Sequence, residues 1–328
     1  MNTPVTTPPP PTSKPSVSLV LGGGGARGYA HIGVIEELIA RGFDIRSVSG
    51  TSMGALIGGI YAAGKLDVYT DWVKPLQRFD VIRLLDWTLS GGGFIKGNRI
   101  IALLRELIGE IDISELPIAY TAVAVDLNAH REVWFSDGPL FDAIRASIAI
   151  PAIFRPYHYQ GRLLVDGGLL NPLPVAPTLR DHNDYTIAVD VNGAIESLGA
   201  GPTKIDADDT TKDTGMLERL LPSADSASEQ PPSYREKFAA FIASLHKHHD
   251  SVAQPSTFEL FMRSLDIVQG TITSLKLAAQ PPDLLISVPR NACAFYEFHR
   301  AEELIELGHI RASEALERWQ RLGSWNLP

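Results

Sequence analysis

The chain has a single cysteine, Cys293, so no disulfide can form within it and nothing points to an oxidising compartment. It lacks an apolar run of the ~18 residues that a membrane-spanning helix needs, and its start lacks the features of a secretory signal. Basic residues are in the minority, 29 against 38 acidic ones, for a net charge of −9. This balance disfavours nucleic acid and tight docking on anionic lipid. We expect a cytoplasmic protein, with membrane-surface contact at most transient.

The composition of the whole chain is that of a globular protein, 45% hydrophobic and 20% charged over 328 residues. Residues 1–15 contain six prolines and predict a disordered tail. Residues 16–191 predict the core domain. Residues 192–233 are rich in Gly, Asp, Thr, Ser and Pro and predict a mobile polar insertion. Residues 234–328 predict a helical part that packs on the same core.

Strand and helix patterns alternate after the tail. An apolar run at 17–21 predicts a buried strand, and residues 30–41 have helical spacing. A strand at 45–49 and a helix at 55–63 follow, an order typical of right-handed βαβ units. The predicted class is therefore α/β with a mainly parallel central sheet. Further strands are predicted at 118–126, 131–135, 163–166 and 185–191, and further helices at 99–108, 140–147, 234–245, 258–279 and 301–322.

The first chemical motif is a glycine-rich loop between the first strand and the first helix. The loop contains Gly22, Gly23, Gly24, Gly25, Ala26, Arg27 and Gly28. Glycines there can turn backbone N–H groups outward at a helix N-terminus, which forms an anion site. The loop also satisfies the G-x-G-x-x-G pattern of dinucleotide sites, which requires an acidic residue at the end of the next strand. No acidic residue ends that strand, so the dinucleotide hypothesis is disfavoured, and a turn shaped only for packing is the other alternative.

The second motif lies where that next strand ends. Gly50, Thr51, Ser52, Met53 and Gly54 form G-x-S-x-G between a predicted strand and a predicted helix. This context is typical of a nucleophile elbow, in which a tight turn exposes the serine and the glycines relieve crowding. The dipole of the following helix favours negative charge at the reacting centre. The motif predicts that Ser52 is a nucleophile.

A serine nucleophile needs a base, and the sequence offers two kinds. An α/β-hydrolase triad would take a histidine later in the chain. The candidates are His182, His246, His248, His249, His299 and His309, none of them in a distinctive setting. The other candidate is Asp166, which an apolar strand delivers into a turn with Gly167 and Gly168. By itself an Asp-Gly pair more often only caps a turn.

The glycine loop, G-x-S-x-G and D-G-G occur in an order that resembles the patatin-like phospholipase family. The matching residues are 23–28, 50–54 and 166–168, and stretches 146–151, 168–174 and, more weakly, 282–286 are also similar. The resemblance implies a three-layer α/β/α fold and a Ser52–Asp166 dyad that works without histidine. It also implies that the glycine loop holds the oxyanion, and that no metal or cofactor takes part.

The implied function is hydrolysis of lipid esters through an acyl-enzyme, as a phospholipase, lysophospholipase or carboxylesterase. Burial beside the apolar residues 163–165 is expected to raise the pKa of Asp166, which makes it a better base at neutral pH. Arg27 either orders the glycine loop or meets a lipid phosphate. Two alternatives stay open: a Ser-His-Asp triad, and a catalytically silent scaffold with a regulatory or interaction role. No protein partner is predicted.

Overall fold

The computed structural model describes residues 14–86, 88, 93–196 and 257–323. Nearly all of the proline-rich tail, most of the predicted insertion at 192–233 and the predicted helix at 234–245 lie outside the described residues. The chain divides into two compact units, Met1–Ile195 with Arg263–Pro328, and Glu196–Met262. The first unit holds the sheet and the candidate site. Among the described residues, no helix has the length and apolar character needed to cross a membrane.

The described residues contain the following elements. The strands are β1 (Ser16–Leu21), β2 (Asp44–Thr51), β3 (Gly93–Ile95), β4 (Ala119–Asp126), β5 (Arg131–Phe135), β6 (Ala152–Phe154), β7 (Tyr157–Tyr159), β8 (Arg162–Asp166), β9 (Tyr185–Gly193) and β10 (Leu284–Pro289). The α-helices are α1 (Ala30–Ala40), α2 (Met53–Ala62), α3 (Leu66–Val73), α4 (Arg78–Leu84), α5 (Asn98–Ile108), α6 (Leu140–Ser147), α7 (Thr257–Ala279) and α8 (Ala301–Arg321). Short 3-10 turns include Gly25–Tyr29 and Gly167–Leu169.

The central sheet has eight strands. Its parallel part runs in the order β10-β9-β1-β2-β4, and β5, β7 and β8 join it in antiparallel pairings. The fold class is therefore α/β with a mostly parallel central sheet, as the sequence predicts. A separate small sheet pairs β3 with β6.

Two strands share one edge of β4 and meet end to end there. β2 pairs with the first part of β4, up to Thr51 opposite Val123. β8 runs antiparallel along the remainder, with Asp166 opposite Ala124. β5 pairs along residues 122–126 and so occupies the other edge. Because Val123 and Ala124 are neighbours in the chain, the ends of β2 and β8 arrive at the same point of the sheet.

Helices and turns cover both faces of the parallel strands, which explains why these strands read as continuous apolar runs. On β1, Leu19 and Leu21 belong to the main core cluster with residues of α1, α2, α6 and α8. Val20 points to the opposite face, where it packs with residues 173, 175 and 188 and with Leu277 of α7. The molecule therefore has three layers, and the carboxyl ends of the parallel strands are left to form the site.

Candidate active site

Ser52 occupies a strained turn between β2 and α2. Its backbone angles are φ 55° and ψ −121°, in a region that non-glycine residues rarely adopt. The flanking glycines have no room for a side chain. A Cβ on Gly50 would lie 2.5 Å from the Ala55 nitrogen, and a Cβ on Gly54 would lie 2.5 Å from the Leu21 carbonyl carbon. The turn has the geometry of a nucleophile elbow, and steric contacts alone exclude other residues at both glycines.

The remaining elbow residues tie the turn to its surroundings. The Thr51 hydroxyl donates to the backbone oxygen of Asn171 at 2.7 Å. Met53 begins α2, and its side chain is in close contact with the glycine loop, because a Cβ on Gly28 would collide with the Met53 Cβ. Thr51 and Met53 therefore connect the elbow to the segments around it.

Asp166 ends β8 and is only 4% exposed. Its Oδ1 accepts the N–H of Gly168 at 2.7 Å, and this bond shapes the D-G-G turn. Burial raises the pKa of Asp166 to about 6, while the nearby Ser52 hydroxyl and the Gly168 N–H act in the opposite direction because they favour the charged carboxylate. Oδ2 is buried and has no partner of full hydrogen-bond geometry among the described residues. The Ser52 hydroxyl thus lies beside a carboxylate that retains acceptor capacity.

The glycine loop passes directly against Ser52. A Cβ on Gly23 would lie 3.2 Å from the Ser52 Cβ. The N–H groups of Gly23 and Ala26 donate to backbone oxygens elsewhere in the chain. In the described part of the chain, neither the Gly24 N–H nor the Gly25 N–H donates a hydrogen bond. These two N–H groups therefore remain available as hydrogen-bond donors in the glycine loop.

Arg27 connects this loop to other segments of the chain through hydrogen bonds. Its buried guanidinium donates to the backbone oxygens of Val191 and Cys293, at 3.0 and 3.2 Å, and to Oδ1 of Asn192 at 2.7 Å. Asn192 in turn donates through Nδ2 to the Gly23 oxygen at 2.6 Å. Burial lowers the pKa of Arg27 from its ordinary value. Of the two roles left open by the sequence, these contacts correspond to ordering the loop.

No described histidine contacts the Asp166 carboxylate, although His31 Nε2 lies 2.8 Å from the Gly22 oxygen in the glycine loop. Nε2 of His309 lies 2.7 Å from Oε2 of Glu36, between α8 and α1. His246, His248 and His249 lie outside the described residues. Over the described ranges, no group of three or more His, Cys, Asp or Glu side chains is placed to hold a metal ion.

The sequence motifs did not identify two residues that contact the candidate site, Ser147 and Ala149. Ser147 accepts the Ser52 N–H through its hydroxyl at 2.9 Å, and the Ala149 oxygen accepts the Asp166 N–H at 3.0 Å. Both lie in the stretch 146–151, which the sequence marks only through the family resemblance. Neither has a side chain that suggests catalysis, so the one available signal was the resemblance itself.

Comparisons with known proteins identify the family and the fold. The family model described as "Patatin-like phospholipase" matches residues 19–179. An uncharacterized NTE family protein of Mycobacterium tuberculosis is 41% identical over an alignment of 341 positions. The alignment covers 94% of this chain and 93% of the relative. Lysophospholipase NTE1 of Debaryomyces hansenii is 26% identical over 95% of this chain but only 18% of its own length. The solved structure of VipD from Legionella pneumophila shares the fold, with a TM-score of 0.51 at 15% identity, covering 93% of this chain and 67% of that one.

Proposed function

The chain belongs to the patatin-like phospholipase family, a family of lipid hydrolases, and from this premise we propose that it cleaves carboxylic esters of lipids by Ser-Asp dyad catalysis. Ser52 is the nucleophile and Asp166 the base. The substrate class is a phospholipid or lysophospholipid, which the family description and the name of the Debaryomyces relative support. No cofactor takes part in this scheme.

One observation carries the proposal: a strained, glycine-flanked serine lies beside a buried carboxylate. Burial raises the pKa of Asp166 to about 6, and the Ser52 hydroxyl lies near enough to act on that pKa in the opposite direction. A base with a pKa near the working pH is both ionised and able to accept a proton. The alternative triad lacks comparable support, because His309 contacts Glu36 and no described histidine donates to Asp166.

In the first step, Ser52 Oγ attacks the ester carbonyl carbon while Asp166 accepts the hydroxyl proton. The carbonyl oxygen becomes an oxyanion, which the Gly24 and Gly25 N–H groups stabilise; each such donor contributes roughly 10²–10³ in rate. The positive end of α2, which begins directly after Ser52, favours the same charge. When the intermediate collapses, the carbon–oxygen bond to the alcohol breaks and the alcohol takes the proton from Asp166.

In the second step, water attacks the acyl-enzyme. Asp166 accepts a proton from the water, the same N–H groups hold the second oxyanion, and the bond to Ser52 Oγ breaks. The proton returns to Ser52 as the fatty acid leaves. The dyad ends in its starting state, so one carboxylate serves both half-reactions.

The test compares wild type with Ser52→Ala on lysophospholipids, phospholipids, triacylglycerols and short aryl esters. Removing the nucleophile is expected to abolish hydrolysis of every ester that the wild type cleaves, since residues of such a unit cannot replace one another. A fluorophosphonate probe should label wild type at Ser52, as peptide mapping would show. His309→Ala is the matched control and should keep its activity. Unchanged turnover in folded Ser52→Ala, or loss of activity in His309→Ala alone, would contradict the proposal.

A further inference from the structure

We propose that residues 147–149 form a bracket that sets the distance between the two members of the dyad, with Ser147 as the positioning residue of the nucleophile. The inference rests on the proposed function for its kinetic meaning. Its structural content is independent, because it concerns how two backbone N–H groups are held. The bracket gives a role to the stretch 146–151, which the chemistry of Ser52 and Asp166 does not explain.

The Ser147 hydroxyl uses both its donor and an acceptor position within the core. Ser147 is completely buried at the end of α6. Its Oγ accepts the Ser52 N–H at 2.9 Å and donates to the Val123 oxygen at 2.6 Å. Val123 is the residue of β4 opposite the last residue of β2. Ser147 therefore ties the nucleophile's own backbone to the strand that both β2 and β8 share.

The base is held by the same segment. The Asp166 N–H donates to the Ala149 oxygen at 3.0 Å, and Ala149 is also completely buried. The D-G-G turn packs on the strand beneath it, since a Cβ on Gly167 would lie 2.8 Å from the Val123 carbonyl carbon. The N–H groups of both dyad members thus end on acceptors two positions apart in one short segment.

The bracket is fixed on both sides, as a positioning element must be. Before it, the Arg145 guanidinium donates to the backbone oxygens of Lys96 and Arg155. After it, the Ile150 oxygen accepts two N–H groups from the β6 strand, at 3.1 and 2.8 Å. A residue with a strained φ of 55° persists only where its surroundings over-determine it. The Ser147 hydroxyl is the contact that does this at the Ser52 N–H.

Ser147→Ala leaves the Ser52 N–H and the Val123 oxygen buried without that partner. The elbow can then relax, and a displacement of the nucleophile of about 1 Å costs about 10²-fold in rate. We expect kcat to fall about 10- to 100-fold while KM stays within about twofold, because the substrate's binding surface is untouched. Inactivation by a fluorophosphonate should slow by the same factor.

The matched control is Ser47→Ala. Like Ser147, Ser47 is a buried serine, but it lies in β2. Its hydroxyl donates to Ser18 Oγ at 3.0 Å and accepts from Asn183 Nδ2 at 3.2 Å. It has no contact with the dyad, so its loss should lower stability and leave kcat unchanged. Ser147→Cys retains a side chain of similar length with only a weak donor and acceptor. This variant should fold and lie between wild type and Ser147→Ala in kcat.

Amide hydrogen exchange gives a readout that does not depend on activity. In Ser147→Ala and Ser147→Cys, exchange at the Ser52 amide should accelerate at least about tenfold, while Ser47→Ala should leave it unchanged. The inference is overturned if Ser147→Cys matches wild type in kcat and exchange, or if Ser47→Ala slows catalysis equally. An inactive wild type would instead refute the proposed function, and the exchange at Ser52 would still decide whether the bracket exists.

Discussion

The two halves of the proposed dyad, Ser52 and Asp166, are held in place by different physical means. The nucleophile half is locked by steric contact, because side chains at Gly50 or Gly54 would collide with backbone, and Ser52 itself is strained. The base half is unstrained and is held by burial and hydrogen bonds, with Gly168 on the Asp166 carboxylate and Ala149 on its N–H. Steric contacts therefore set the backbone conformation of Ser52, whereas burial and hydrogen bonds set the position and the pKa of Asp166.

The comparison has a consequence for which changes each half tolerates. A change that preserves shape but removes charge should be severe at the base. A change that adds one methyl group should be severe at the elbow glycines. Each of the following predictions tests one side of this difference.

Asp166→Asn should have the largest effect after Ser52→Ala. It keeps the shape of the base half and removes its proton acceptor, so kcat should fall by about 10³- to 10⁴-fold. The double variant with Ser52→Ala should be no worse than either single variant, because the pair acts as one unit. Asp126→Asn is the control, a buried carboxylate of β4 that accepts only the N–H groups of its own turn. If Asp166→Asn is nearly as active as Asp126→Asn, Asp166 is not the base.

Gly54→Ala tests the steric lock. The added methyl would collide with the carbonyl of Leu21, the last residue of β1 before the glycine loop. We expect a loss of 1–3 kcal/mol in the free energy of unfolding, roughly the cost of overpacking, and a loss of about 10²-fold in kcat through displacement of the nucleophile. Gly270→Ala is the control, since its Cβ would meet nothing within 4 Å in α7. Alanine there should raise helix stability by up to about 1 kcal/mol. Equal behaviour of the two variants in denaturant titrations and rate assays would refute the steric lock.

The pH dependence of kcat/KM tests the base half. Asp166 must be ionised to accept a proton, and burial raises its pKa to about 6. Activity should therefore be constant above pH 7 and fall about tenfold per unit below about pH 6. A profile that stays flat down to pH 4.5 would contradict a buried base of this kind. The pH dependence of Ser47→Ala should match that of wild type.

Stability should show the opposite sign from activity at this residue. Because the folded-state pKa of Asp166 lies above its ordinary value of 3.8, the charged form is disfavoured by folding. This cost is absent below pH 3.8 and grows as the pH rises through 6. Asp166→Asn should therefore raise the free energy of unfolding at pH 7, by up to about 3 kcal/mol, and the gain should shrink toward pH 4. Denaturant titrations at the two pH values measure it, and a loss of stability at pH 7 would contradict burial as the dominant cause.

Much of the fold is readable because its signals are local. The apolar runs of β1 and β9 and the helical spacing of α1 and α8 predict those elements to within a few residues. The strands β3, β6 and β7 have three residues each, too short for periodicity to show, and the short helices α3 and α4 are also not predicted. β9 continues to Gly193, two residues into the stretch predicted as insertion.

The sequence by itself determined where the elbow forms, because the G-x-S-x-G motif occupies five consecutive residues between a strand pattern and a helix pattern. The sequence could identify Asp166 as a candidate base, but it could not show that Asp166 lies beside Ser52. Only the tertiary structure decided that β8 runs antiparallel to β4 and meets β2 end to end, and that one segment after α6 holds both N–H groups. Strand pairing and backbone hydrogen bonds between residues up to 95 positions apart leave no mark on local composition. The proposed base therefore acquires its environment and its pKa only when the chain folds.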